Sequence, residues 1–111
     1  AKEILKVYVK LYQKEITIDH IIEVVCEYLN LDFARFNSTE RTREIAQARQ
    51  IAMYLIRSMT NLSLDDIGKQ FDNRDHSTVL YSIQQAEKKM KKDAAFAETV
   101  KEIKTNINSK R

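Results

Sequence analysis

Proline is absent from the sequence and glycine occurs once, at Gly68. Hairpin turns and phosphate-cradling loops depend on those two residues, so β-hairpin architectures and a doubly wound nucleotide fold are excluded. Cysteine also occurs once, at Cys26. It cannot close an intrachain disulfide, which fits a reducing, cytoplasmic setting. There is no signal-peptide pattern and no apolar run near the ~18 residues a membrane span requires, so no membrane role is expected. Neither sign of charge dominates: 19 Lys and Arg stand against 16 Asp and Glu, for a formal net charge of +3. What is present is a chain of 111 residues, 43% hydrophobic and 32% charged. Such a chain is globular, and at this size it can build one modest core.

Periodicity is helical throughout. Ile4, Leu5, Tyr8, Leu11 and Tyr12 recur at helical spacing beside Lys2, Lys6, Lys10 and Lys14. Residues 1–15 therefore read as an amphipathic linker helix trailing from a preceding domain, and residues 16–111 as the domain proper. Thr17 is a natural N-cap for a helix running to about residue 30, with Ile21, Ile22, Val25, Tyr28 and Leu29 as its stripe. Asn30–Thr39 reads as a connector. A longer helix from about Glu40 to Thr60 carries Ile45, Ala48, Ala52, Leu55, Ile56 and Met59 on one face, with Arg43, Gln47, Gln50 and Arg57 opposite. Ser63 and Asp66 form a capping pattern for a short helix over about 64–71, which the DNRD sequence then interrupts. The next helix spans about 76–92, with Val79, Leu80, Ile83, Ala86 and Met90 inward and a lysine-rich end. After Asp93, the spacing of Phe96, Val100, Ile103 and Ile107 predicts a final helix. The fold class is all-α: a compact helical domain containing a helix-turn-helix, preceded by a linker helix.

The helix-turn-helix proportions carry the chemistry. A short first helix crosses the phosphate backbone, so that the second can lower its amino end into the major groove. At that end stand Asp75, His76, Ser77 and Thr78, which offer an acceptor for an amino group, an imidazole, and two hydroxyls, one with a methyl for thymine. Arg74, just before them, adds charge beside free helix N–H groups. The local alternative is that Asp75 caps its own helix. Residues 40–92 hold ten basic and seven acidic side chains, so the positive excess lies with the motif. The lysines at 88, 89, 91 and 92 read equally well as a solvated helix end.

Materials for catalysis are missing: there is no glycine-rich phosphate loop, no metal-spaced histidine or cysteine pair, and no nucleophile elbow. No catalytic residue, cofactor or metal is expected, and Asp72, Asp75 and His76 read as turn or cap residues rather than ligands. Cys26 reads as a small buried hydrophobe, His20 as exposed, and Tyr54 and Tyr81 as core rims without a DNA contact. The competing function is a helical protein-interaction module, docking through residues 1–14 and the Phe96–Ile107 seam.

The stretch IGKQFDNRDHSTVLYS, from Ile67 to Ser82, together with TIDHIIEVV, AQARQIAMYL and TNLSLDDIG, resembles the carboxy-terminal DNA-binding domain of the bacterial DnaA replication initiators. The resemblance runs through residues 16–105 without a gap. It implies a monomeric helical module that binds double-stranded DNA at DnaA boxes of the TTATNCACA type, with ATP handled by a separate preceding domain. By matched position, it implies that Asp75, His76, Ser77 and Thr78 read bases in the major groove and that Arg41 enters the minor groove, where narrow A·T tracts concentrate negative potential. Arg49, Gln50, Arg57, Thr60 and Ser63 fall at backbone contacts. Ser77 replaces the threonine of some members and loses a methyl. QARQ over 47–50 replaces a more basic Arg-Pro-Arg-Gln, and Glu40 and Glu44 dilute the loop further. Read locally, Arg41 pairs equally well with Glu44.

Overall fold

The structure is a computed structural model and describes residues 16–36, 42–71 and 73–110. The 1–15 linker helix and Arg41 therefore lie outside the described residues. Six helices are present among them: α1 (Ile18–Tyr28), α2 (Phe33–Phe36), α3 (Arg43–Met59), α4 (Leu64–Gln70), α5 (His76–Lys92) and α6 (Ala94–Lys110). No strand occurs in the described residues.

Thr17 caps α1, its Oγ1 accepting from the His20 N–H at 3.1 Å. The other end closes in a Schellman turn: Asn30 takes a left-handed φ of 56°, the Leu31 N–H reaches the Cys26 carbonyl, and the Asn30 N–H reaches that of Glu27. Asparagine tolerates that conformation where a bulkier residue would strain. The connector expected over 30–39 contains a single helical turn, α2, started by Asp32 Oδ1 accepting from the Ala34 N–H. Four residues are too few to register as a period, which is why the sequence hid it.

Helix α3 is the central element and packs against α1, α2, α4 and α5. Ile45, Ala48, Ile51, Ala52, Met53, Leu55 and Ile56 are all buried, a wider apolar surface than one stripe. Phe96, Val100, Ile103 and Ile107 of α6 are also buried, and α6 packs on α1 and α5. That seam is core and offers no free docking face. Asp93 Oδ1 starts α6 by accepting from the Ala95 and Phe96 N–H groups.

Four placements differ from the sequence expectation, the first being Tyr28, expected in the apolar stripe of α1 but exposed. His20 is half-buried, with Nε2 at 3.0 Å from the Ile107 carbonyl, because the end of α6 folds over the start of α1. Leu80 is 41% exposed and Tyr81 61% exposed, so neither belongs to the core. Val79, Ile83 and Ala86 already fill the inward side of α5. Cys26 is buried as expected, and burial, followed by the charge of Asp32, pushes its thiol above the ordinary value.

Candidate nucleic-acid interface

Ser63 and Asp66 form a reciprocal capping box at the start of α4. The Ser63 hydroxyl accepts from the Asp66 N–H, and the Asp66 carboxylate accepts from the Ser63 N–H. Two residues after Asp66, Gly68 presses its backbone against the turn. A Cβ there would collide with the Arg74 carbonyl oxygen and stand 3.4 Å from Val79 Cγ2. The Gly68 carbonyl accepts from both the Phe71 and Arg74 N–H groups at 3.0 Å. Asn73 supplies the left-handed residue, at φ 53°, and Arg74 Nε donates to the Phe71 carbonyl. The turn is thus closed by backbone bonds onto the one residue without a side chain, and this fixes the angle between α4 and α5.

Asp75 caps α5: its Oδ1 accepts from the Thr78 N–H at 2.9 Å. The backbone hydrogen bond from Thr78, and then that residue's hydroxyl, hold the Asp75 carboxyl below the ordinary value of 3.8. A carboxyl lowered by folding contributes stability above the unfolded pKa and loses it as pH falls through the folded one. The Thr78 amide resonance is therefore expected to titrate with a midpoint below 3.8, read by NMR. A midpoint at or above that value would remove the cap from the account.

His76, Ser77 and Thr78 are exposed, as is Asp75. His76 Nδ1 lies 3.5 Å from Asp65 Oδ1 in the first turn of α4, with side chains 65% and 72% exposed. An exposed pair of this kind contributes little stability. Its effect is orientation: with Nδ1 facing the Asp65 carboxylate, the ring turns Nε2 away from α4. Sequence reasoning missed Asp65, which lies eleven residues upstream and becomes a neighbour only through the turn.

The expected backbone-contact residues fall into two groups. Arg57 is exposed at the end of α3, and its guanidinium donates to the Leu62 carbonyl at 2.8 Å. Thr60 Oγ1 donates to the Ile56 carbonyl and accepts from the Leu62 N–H. Arg57 at the end of α3 is thereby tied to the short loop that carries Thr60 and Ser63, which leads through α4 and Asp65 to His76. Arg74, in the turn, is half-buried, and so is Gln50 on α3. Arg49, expected at a backbone contact, is 6% exposed, and its Nε donates to the Phe36 carbonyl at 3.0 Å. A position on α3 between Ala48 and Ile51 points into the contact with α2, and the sequence pattern did not reveal that.

A short capped helix, a glycine-closed turn and a longer helix with an exposed polar first turn define a helix-turn-helix DNA-binding domain. Comparison with known proteins narrows the class. The family model described as the bacterial DnaA protein helix-turn-helix matches residues 18–86. The chromosomal replication initiator protein DnaA of Lachnoclostridium phytofermentans is 49% identical over 96 residues, 86% of this chain and 21% of that protein. The protein of the same name from a Thermoanaerobacter species is 41% identical over 107 residues, 96% of the chain and 24% of the relative. That of Thermodesulfovibrio yellowstonii is 40% identical over 103 residues, 93% of the chain and 24% of the relative. This chain belongs to the bacterial DnaA helix-turn-helix family. It spans less than a quarter of the length of these relatives.

Proposed function

We propose that this domain binds double-stranded DNA sequence-specifically, as a monomer and without a cofactor of its own, at DnaA boxes of the TTATNCACA type, and so serves the initiation of chromosome replication. The observation that carries the reading is the outward presentation of His76, Ser77 and Thr78 on the first turn of α5, at an angle set by Gly68. In this reading His76 Nε2 accepts from a base amino group, and the Thr78 methyl meets a thymine methyl. Asp75 acts first as the cap that holds Thr78. The loop of Arg57, Thr60 and Ser63 takes phosphates, assisted by Gln50 and Arg74, while Arg41 enters the minor groove. Arg49 supports α2 from within, through the Phe36 carbonyl. The buried Phe96–Ile107 seam weighs against a protein-docking module.

The test is a mobility shift at several salt concentrations, with duplexes carrying a box or its scrambled sequence. The box duplex is expected to bind more tightly. His76→Ala is expected to cost about 1–3 kcal/mol on the box and little on the scrambled duplex, the scale of one lost base contact. Arg57→Ala is expected to weaken both alike and to flatten the salt dependence. Equal affinity of the unmodified protein for the two duplexes would refute sequence-specific recognition.

A further inference from the structure

Beyond the first turn of α5, an aromatic side chain, that of Tyr81, points outward. Val79, Ile83 and Ala86 mark the buried side of the helix. At about 3.6 residues per turn, Tyr81 points nearly opposite to them, in line with Ser77 one turn before and Lys88 two turns after. It is 61% exposed, and among the described residues its hydroxyl has no hydrogen-bond partner. Tyrosine is a mediocre helix former, and at this position it contributes no core packing. The neighbours above and below it on the same face, Ser77, Thr78, Gln84, Gln85 and Lys88, are uncharged or basic, so this face of α5 presents no carboxylate beside it.

We propose that Tyr81 is a further DNA-contacting residue, whose phenol hydroxyl donates a hydrogen bond to a backbone phosphate at the wall of the groove that α5 enters. The inference rests on the DNA-binding reading above and extends it by one residue and one contact type. The choice of phosphate follows from helix geometry. Each residue rises about 1.5 Å, so Tyr81 sits about 6 Å farther from the amino end than Ser77. When the first turn reaches base edges at the groove floor, the second turn stands at the level of the flanking phosphates. A phenol is long enough to bridge that gap, and its hydroxyl donates well to an anionic oxygen. Stacking on a base is closed to it, because the bases of an intact duplex are already stacked.

The test uses the 111-residue chain and its Tyr81→Phe variant, titrated against box and scrambled duplexes at several salt concentrations. Tyr81→Phe removes one oxygen from an exposed side chain, and an unchanged melting curve verifies that the fold is intact. Its affinity is expected to fall about tenfold on both duplexes, the scale of a hydrogen bond to a charged acceptor. The salt slope should be unchanged, because a hydroxyl displaces no counterion. A duplex carrying a single neutral methylphosphonate should, at one position, bind the two proteins equally. A loss confined to the box duplex would overturn the proposal in favour of base contact, and no loss on either duplex would overturn it outright. If the unmodified chain bound neither duplex, the DNA-binding reading itself would fall.

Discussion

Gly68→Ala is expected to destabilise the domain by roughly 3 kcal/mol and to abolish DNA binding at temperatures where the unmodified chain is folded. Two effects oppose each other. Alanine is the better helix former by about 1 kcal/mol, so on an exposed α4 the change would stabilise. Here the new methyl meets the Arg74 carbonyl oxygen, which is backbone and has no rotamer by which to escape. Relief requires α4 and the turn to separate. Separation stretches the two hydrogen bonds that the Gly68 carbonyl receives from Phe71 and Arg74 and loosens the contact with Val79. Strain and weakened hydrogen bonds together outweigh the gain in helix propensity. Urea unfolding measures the sum, and a shift within 0.5 kcal/mol of the unmodified protein (the scale of about ±0.5 for a surface change) would show that the turn yields easily. Amide exchange at Arg74 and Thr78 localises the damage: both should exchange faster, while the amides of α6 follow only the global stability.

The helices that were legible in the sequence are those with a strong cap and a long period. Asp75 and the lysine run bound α5 at both ends, and the Phe96, Val100, Ile103, Ile107 spacing identified α6 and its buried side together. The residues misplaced by the same reasoning share a cause: their surroundings come from elements distant in the chain. His20 is covered by the end of α6, 87 residues away in sequence. Leu80 fits the apolar period as well as Val79 does, and exposure falls on Leu80 because α3, α4 and α6 approach α5 from the other side. Tyr81 was read as a core rim because tyrosine usually is one, and only the packing of α5 turns it outward. The exposed first turn of α5 could be read from residue types, since polar residues behind a cap belong at the surface. The juxtaposition of Asp65 and His76, and the contact that makes Gly68 necessary, required the turn itself.

Arg49→Ala is the second large effect expected, about 3 kcal/mol, against a total stability of roughly 5–15 kcal/mol for a domain of this kind. The side chain is almost wholly buried, and its Nε satisfies the carbonyl of Phe36, itself only 2% exposed. Truncation leaves that carbonyl without its side-chain donor, which costs about 1–3 kcal/mol, and opens a cavity where the alkyl stem packed. The consequence extends toward the interface, because the Phe36 ring meets Phe71 edge-to-face with centroids 5.8 Å apart, at the end of α4 where the turn begins. Arg49 thus braces α2, and through Phe36 it braces the base of the helix-turn-helix. Arg49→Met separates the contributions, since it retains an unbranched apolar stem and deletes the donor. Its stability is expected to lie between those of the unmodified chain and the alanine variant. Arg49→Lys should not restore the arginine value, because an ammonium at the end of a flexible stem cannot stand where Nε stands. Urea midpoints in the order arginine, methionine, alanine, with lysine below arginine, support the brace. An alanine variant as stable as the unmodified chain would show that the Phe36 carbonyl finds another partner and that Arg49 has no structural role.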